Sequence, residues 1–273
     1  MIGTIELRRT TIEIREIVKE LFGFQLDGYH QLYLERRLNY ISLKHGIRKA
    51  SLLKDLIIND PKLAKELRKE VNISYTRLFR DPEFFKEIIT LVRNQIQTTG
   101  QARIWHIGCA QGYEAYSLAI LLSEELLLEN CKIYASDANI HALVQAKMGI
   151  IDLKELQLGS KEYLFAGGKL HLRNYFHTSA SSAILDKKIL NNIIFAHHEL
   201  GKDNSFQEFD IILCRNLLIY YQPYYQKRLY QSMKESLKPG GYIGLSNCES
   251  LIDFVDEDEI ETINKDQNIY RIM

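Results

Sequence analysis

Cysteine, proline and tryptophan are scarce in this chain: its 273 residues include four cysteines, four prolines and one tryptophan. The cysteines lie far apart and form no CxxC pair, so a zinc site or a disulfide framework is not expected. We predict no bound metal and a reducing, cytoplasmic location. Cys109 and Cys214, which fall near predicted strand ends, are interpreted as small packing residues.

Long apolar runs are also missing. No stretch reaches the roughly 18–20 residues that a membrane-spanning helix requires. Residues 1–15 mix Glu and Arg with isoleucines, which is not the pattern of a signal peptide. A hydrophobic fraction of 46% and a charged fraction of 26% are ordinary for a globular protein. We therefore expect no membrane insertion, and either one large domain or a small and a medium one.

A net charge of zero conceals an asymmetry along the chain. Residues 1–80 hold 16 Lys and Arg against 10 Asp and Glu, and residues 81–273 hold 19 against 25. The basic first part suggests an acidic partner, although a solvated helical surface would have the same composition.

Hydrophobic periodicity divides the chain into two parts. Residues 10–70 follow a helical period, with Pro61 placed to begin a helix, and predict a small bundle. From residue 102 strand-like and helix-like segments alternate, which predicts an α/β fold with a mostly parallel sheet. We predict a helical domain over 1–75 and a second domain over 76–273, with an inserted subdomain at 150–192. Strands are expected at 102–107, 131–136, 193–197, 209–214 and 241–246, a turn at 238–241, and an antiparallel edge strand at 267–273.

A glycine loop follows the first predicted strand. It has Gly108, Ala110 and Gly112 but not the GxGxxG spacing of dinucleotide-binding enzymes. Glu114 lies at the start of the next helix, where it would repel a phosphate but where the helix dipole stabilises it. This combination favours S-adenosylmethionine (SAM), which has no phosphate and whose cationic end a carboxylate can face. Asp137 ends the second strand, where a carboxylate can accept both ribose hydroxyls.

The fourth predicted strand ends in Cys214-Arg215-Asn216, and Tyr220 follows shortly after. Methyltransferases that act on amino groups of bases often have Asn-Pro-Pro-Tyr at this place. That motif is missing, and the second domain has no strongly basic stripe, so nucleic acid is not an expected partner.

Four separated motifs resemble the CheR family of chemotaxis receptor glutamate methyltransferases, over about residues 10–270. The motifs are Ser74-x-Thr76-x-Leu78-Phe79-Arg80-Asp81-Pro82, Trp105-x-x-Gly108-Cys109-Ala110-x-Gly112-x-Glu114-x-Tyr116-Ser117, Ser136-Asp137, and Cys214-Arg215-Asn216-x-x-Ile219-Tyr220. The segments 237–242 and, more loosely, 247–250 resemble the family's last core strand. The resemblance implies a helical N-terminal domain, a SAM-binding α/β domain, and a small β-subdomain for which 150–192 is the candidate.

The resemblance also implies an activity and a site. The activity is transfer of the SAM methyl group to glutamate side chains on the acidic, helical coiled coil of the cytoplasmic region of chemoreceptors, leaving S-adenosylhomocysteine (SAH). The chain would act as a monomer. The residues implied at the cofactor are Ser74, Thr76, Arg80, Gly108, Glu114, Asp137, Glu199, Leu200, Arg215 and Asn216, and those implied at the transfer site are Arg80 and Tyr220.

Some positions depart from the family's pattern. Ser74 replaces a usual Asn, Leu78 a usual Phe, Tyr113 a common Glu and Ala115 a common Pro. The first change falls at the cofactor, so a SAM-binding relative with little or no activity is one alternative. A carboxylate methyltransferase with another acceptor is the second.

Overall fold

The computed structural model describes residues 3–23, 26–72, 76–204 and 208–273. The chain divides into two compact units. The first consists of Met1–Ile73 with Ile219–Gln226, and the second of Ser74–Leu218 with Lys227–Met273. The predicted boundary between residues 75 and 76 stays a prediction, because residues 73–75 lie outside the described part. Within that part, no helix is long and apolar enough to cross a membrane.

Four helices form most of the first unit: α1 (Thr4–Phe22), α2 (Gln31–Lys44), α3 (Ala50–Asn59) and α4 (Pro61–Val71). Their apolar stripes meet in one core that includes Ile14, Leu34, Leu53 and Leu67. Helix α4 begins at Pro61, as predicted, and the Asp60 carboxylate accepts the Lys62 backbone N–H. A proline at the first helical position loses no hydrogen bond, because that N–H has no partner in a helix.

Residues 219–226 pack on this helical unit through tyrosines. The rings of Tyr33 and Tyr220 lie 4.8 Å apart, and those of Tyr29 and Tyr221 lie 4.4 Å apart. The Tyr220 carbonyl accepts the His30 N–H at 2.9 Å. Gly28 has a positive φ of 87°, and a Cβ there would lie 2.4 Å from the Tyr225 ring. We call residues 219–226 the tyrosine strap.

The second unit is built on a seven-stranded sheet in the order β6-β2-β1-β7-β8-β10-β9. Its strands are β1 (Ala102–Ile107), β2 (Cys131–Asp137), β6 (Ile193–His197), β7 (Phe209–Cys214), β8 (Leu237–Gly244), β9 (Ile260–Asn264) and β10 (Ile269–Ile272). The first five are parallel, and β10 pairs antiparallel with β8 and β9. The predicted α/β fold with a mostly parallel sheet is confirmed.

The helices beside this sheet include α5 (Pro82–Thr99), α6 (Tyr113–Glu124), α7 (Ile140–Met148) and α10 (Pro223–Glu235), and the first residues of α10 belong to the tyrosine strap. Strand order reverses between β1 and β7, and in open α/β sheets ligands bind at the carboxyl ends of strands at such a point. The chain just after β1, β2 and β7 is therefore where a ligand is expected.

Two details of the sequence prediction are wrong. Residues 238–241 form no separate turn. They bulge inside β8, opposite Asp210 of β7, and Gly240 supplies the positive φ of 73°. The antiparallel C-terminal strand exists as β10, but it is not the edge of the sheet, because β9 pairs outside it.

The segment predicted as an inserted subdomain contains a separate three-stranded antiparallel sheet. Its strands β3 (Ile150–Asp152), β4 (Phe176–Thr178) and β5 (Ser182–Leu185) lie in the order β3-β5-β4. It also contains α8 (Leu153–Phe165) and the short α9 (Lys187–Leu190). The Glu124 carboxylate accepts the Tyr163 hydroxyl at 2.5 Å and the Tyr175 hydroxyl at 2.6 Å, which anchors this segment to the end of α6.

Candidate active site

The glycine loop after β1 is held in left-handed conformations. Gly108, Ala110 and Gly112 have φ values of 67°, 51° and 85°. Glycine adopts these angles at no steric cost, whereas Ala110 pays about 1–3 kcal/mol. The Ala110 N–H donates to the Asp137 carboxylate at 2.8 Å, which helps to hold this conformation. The loop after β1 is therefore bonded to the end of β2, and its small residues leave the backbone open to close approach.

Asp137, the last residue of β2, is half-buried beside this loop. Its second carboxylate oxygen accepts the Asn139 N–H at 2.7 Å. Burial raises the pKa of Asp137, and the backbone N–H groups of Asn139 and Ala110 oppose that rise. Each oxygen keeps a second lone pair, so the carboxylate can accept two further hydroxyl groups.

Glu114 lies in the first turn of α6 and is buried, with 7% of its surface exposed. One of its carboxylate oxygens, Oε2, is 2.9 Å from Nη1 of Arg215. Its other oxygen, Oε1, is 3.3 Å from Nε2 of His106 but makes no aligned hydrogen bond in the described part of the chain. Burial alone would raise the pKa of Glu114, but the charge of Arg215 and the neighbouring His106 outweigh it and lower the pKa to about 2. Glu114 is thus an anion with one acceptor position left.

This low pKa makes a prediction for acid stability. The pKa of Glu114 is lowered on folding from 4.5 to about 2, so its stabilising contribution is present above pH 4.5 and is lost as the pH falls toward 2. The size is about 3 kcal/mol. Urea unfolding gives the free energy of unfolding of the wild type and of Glu114→Gln at each pH. The difference between the two proteins should shrink by about 3 kcal/mol as the pH falls from 5 to 2. A difference that does not change with pH would contradict the assignment.

Arg215, directly after β7, is buried at 5% exposure and connects three elements. Besides Glu114, its guanidinium bonds the Asp81 carboxylate at 2.5 Å and the Arg80 carbonyl at 3.4 Å. The guanidinium also lies 4.1 Å from the centre of the Phe84 ring, a cation–π distance. Arg215 therefore fixes the turn before α5 relative to α6 and β7.

Asn216 has a φ of 57°, and its backbone N–H donates to the Glu249 carboxylate at 2.8 Å. Its side chain makes no hydrogen bond within the described ranges. His106, Asp81 and Glu249 contact the candidate residues but are not among those predicted from the sequence. Asp81 and Glu249 do lie inside the quoted motifs, whereas nothing in an apolar strand marks His106 as a neighbour of Glu114.

The other residues predicted at the site are divided between the two units. Arg80 is 37% exposed, and its Nε is 4.0 Å from the Asp81 carboxylate. Thr76 is half-buried, and Ser74 lies outside the described residues. Glu199 and Leu200 follow β6, the neighbour of β2, and Glu199 pairs with Lys202 at 3.3 Å. Tyr220 lies in the tyrosine strap and so belongs to the helical unit, whereas Arg80 belongs to the second unit.

The sheet, the glycine loop after β1 and the carboxylate after β2 define a SAM-dependent methyltransferase. Residues 74–268 match the family described as CheR methyltransferase, SAM binding domain. The chain belongs to this CheR methyltransferase family.

Similar proteins cover nearly the whole chain. A Pseudomonas putida (strain KT2440) protein named "Putative methyltransferase Cher3" is 32% identical over 267 residues, which are 97% of this chain and 98% of that protein. A Listeria monocytogenes protein named "Chemotaxis protein methyltransferase" is 25% identical and covers 92% of this chain and 94% of its own length. Among solved structures, the N-methyltransferase NodS from Bradyrhizobium japonicum in complex with SAH is 15% identical, with a TM-score of 0.38 over 69% of this chain and 85% of its own.

The site residues fit the cofactor. The open acceptor position on the buried Glu114 suits an ammonium group, and the free lone pairs of Asp137 suit ribose hydroxyls. SAM carries both groups. Among the described residues no cluster of three or more His, Cys, Asp or Glu side chains could hold a metal ion.

Proposed function

We propose that this protein transfers the methyl group of SAM to glutamate side chains of chemoreceptors, in the cytoplasm, and leaves glutamate methyl esters and SAH. The observation that carries the proposal is the position of Arg80. Its carbonyl oxygen accepts a hydrogen bond from the buried Arg215. Its guanidinium is partly exposed, and within the described part of the chain its ionic neighbour is Asp81, at 4.0 Å. A cation available beside the cofactor residues suits a carboxylate acceptor. Relatives named "Chemotaxis protein methyltransferase", in Listeria and Vibrio species, support the same assignment.

Cofactor binding is assigned to residues of the second unit. Glu114 would hold the ammonium group and Asp137 the ribose, with Gly108 allowing close approach of the backbone. Arg215 keeps Glu114 ionised, and Asn216, whose side chain makes no hydrogen bond among the described residues, would donate or accept one at the cofactor. Thr76, Arg80, Glu199 and Leu200 complete the set by their motif positions, together with Ser74.

The transfer chemistry needs orientation rather than a base. A glutamate carboxylate has a pKa of about 4.3 and is already ionised at neutral pH. When bound, SAM supplies an electrophilic methyl on a sulfonium: the new C–O bond forms as the C–S bond breaks, and the electron pair stays on sulfur. Arg80 would hold one carboxylate oxygen while the other attacks in line. Tyr220 is proposed as a second hydrogen-bond donor for the transfer by its motif position. The catalytic roles of Arg80 and Tyr220 are those of positioned donors.

A groove on the helical unit supports an acidic, helical partner. Arg36, Tyr33, Ile219 and Tyr220 are among the residues that line it, and its volume is about 530 Å³. Arg36 is exposed, and the guanidinium of Arg37 lies 5.4 Å from the centre of the Tyr33 ring. Arginines next to partly exposed aromatic and apolar side chains suit a helix that carries both glutamates and apolar residues.

Charge reversal tests this surface. We expect Arg36→Glu with Arg37→Glu to lower the rate of receptor methylation about tenfold at low salt, because steering by surface charge is lost, and to matter less as salt screens it. The measurement is the initial methylation rate at several ionic strengths. Lys62→Glu with Lys65→Glu, on the exposed side of α4, makes the same change in net charge and serves as the control. An unchanged rate in the α2 variant would exclude this role.

The acceptor is tested by transfer of a labelled methyl group to the cytoplasmic region of the cognate receptor. Formation of base-labile methyl ester on glutamate is expected. SAM binding without any ester would favour a SAM-binding module with little activity. Transfer to a small carboxylic acid but not to receptor would favour a methyltransferase with another acceptor.

A further inference from the structure

Glu249 is a buried acid that bonds the backbone of Asn216, one of the proposed cofactor residues. It lies in the loop after β8 and is 6% exposed. Its Oε2 accepts three hydrogen bonds: from the backbone N–H of Asn216 at 2.8 Å, from the backbone N–H of Ser246 at 3.1 Å, and from the Ser246 hydroxyl at 2.6 Å. This single oxygen therefore joins the carboxyl ends of β7 and β8.

The bond to Asn216 acts at a strained position. Asn216 has a left-handed φ of 57°, which Asn tolerates better than most residues but which still favours an external support. Glu249 supplies that support, because it accepts the Asn216 N–H directly. Ser246 is also held to the turn just before β10, because its carbonyl accepts the side-chain N–H of Asn268 at 3.0 Å.

The peptide next to this turn carries Arg215, whose guanidinium bonds Glu114 and Asp81. If the turn at Asn216 relaxed toward a right-handed conformation, the backbone that carries both Arg215 and Asn216 would rotate. The ion pair with Glu114 and the direction of the Asn216 side chain would change together. A hydrogen bond in the loop after β8 thus controls two residues at the cofactor.

We infer that Glu249 is a positioning residue for SAM binding, which acts through the Asn216 backbone and Arg215. This role requires no contact between Glu249 and the cofactor, and it depends on the length and geometry of the Glu249 side chain more than on its charge. Glu249→Gln keeps an acceptor oxygen at the same reach. Glu249→Asp keeps the charge but withdraws the oxygen by one methylene from the Asn216 N–H.

Calorimetry with SAH, on the full chain, tests this inference. We expect Glu249→Asp to weaken SAH binding about 10–100-fold, because the shorter side chain no longer reaches the Asn216 N–H, and Glu249→Gln to weaken it less than about fivefold. Glu257→Asp, an exposed acid in the same inter-strand region, is the control and should bind as the wild type does. SAH binding does not depend on the acceptor, so the outcome is separate from that of the receptor assay.

A double-variant cycle distinguishes positioning from a general loss of stability. If Glu249 acts in part through Arg215, Glu249→Asp combined with Arg215→Lys should lose less SAH affinity than the product of the two single losses. Thermal denaturation without ligand gives the melting temperature of each variant, and the titrations are done at a temperature at which every variant is folded. The inference would be overturned if the affinity losses of the two single variants multiplied in the double variant. It would also be overturned if Glu249→Asp had a lower melting temperature but bound SAH as tightly as the wild type. A Gln variant weaker than the Asp variant would overturn it as well, because charge would then matter more than reach.

Discussion

Glu114→Gln is expected to weaken SAH binding about 10–100-fold and to lower the melting temperature of the free protein. The amide cannot act as an anion for the cofactor's ammonium, and hydrogen bonds with a charged partner contribute about 1.5–3 kcal/mol each. Arg215 would also remain buried with one of its two carboxylates removed, and breaking a buried ion pair typically costs about 3–5 kcal/mol. Calorimetry with SAH and thermal denaturation measure the two effects separately.

Glu129→Gln is a suitable control, because Glu129 lies in the exposed turn that follows α6. It should change neither affinity nor melting temperature. If Glu114→Gln destabilises the protein but binds SAH as the wild type does, Glu114 serves only to hold Arg215, and the proposed contact with the cofactor is wrong.

The second large effect is expected at Arg80. Arg80→Ala should lower kcat for receptor methylation by about 100-fold or more, because the acceptor carboxylate loses the group that orients it. Affinity for SAH should fall less, by about tenfold at most, since Glu114 and Asp137 remain. Arg80→Lys keeps the charge but not the planar fork, so an intermediate rate is expected.

Arg77→Ala controls for the loss of a half-buried arginine three residues earlier in the same segment. Rates come from single-turnover transfer of labelled methyl, with SAM well above its dissociation constant for each variant. Equal rates for the Arg80→Ala and wild-type proteins under these conditions would show that Arg80 has no role in the transfer step.

The parts of the fold that the sequence predicted well are those with strong local signals. Strands 102–107, 193–197 and 209–214 coincide with β1, β6 and β7, because each is a short apolar run with a clear boundary. Strand β9 was missed because most of Ile260–Asn264 is exposed at the sheet edge and lacks such a run. At 238–241 the glycines and proline correctly indicate an irregular backbone, but pairing with β7 keeps the segment within a strand.

The sequence motifs name individual candidate residues, but they do not predict which of these residues contact one another. Motif spacing identifies Glu114 and Arg215 individually, yet their contact joins positions 101 residues apart, which no local pattern encodes. The same holds for Asp81 with Arg215 and for Glu249 with Asn216. The roles of these residues at the cofactor stay predictions that the variants above test.

The tyrosine strap has a consequence for exchanging domains between relatives. The helical unit is formed by two separate pieces of chain, Met1–Ile73 and Ile219–Gln226, joined by contacts such as Tyr29 with Tyr221 and Gly28 with Tyr225. A chimera that replaces only the N-terminal piece would set foreign side chains against Tyr220, Tyr221 and Tyr225. Receptor preference should therefore transfer cleanly only when both pieces are grafted together, and the evolution of residues 219–226 should follow that of the first 73 residues rather than that of the strand next to them.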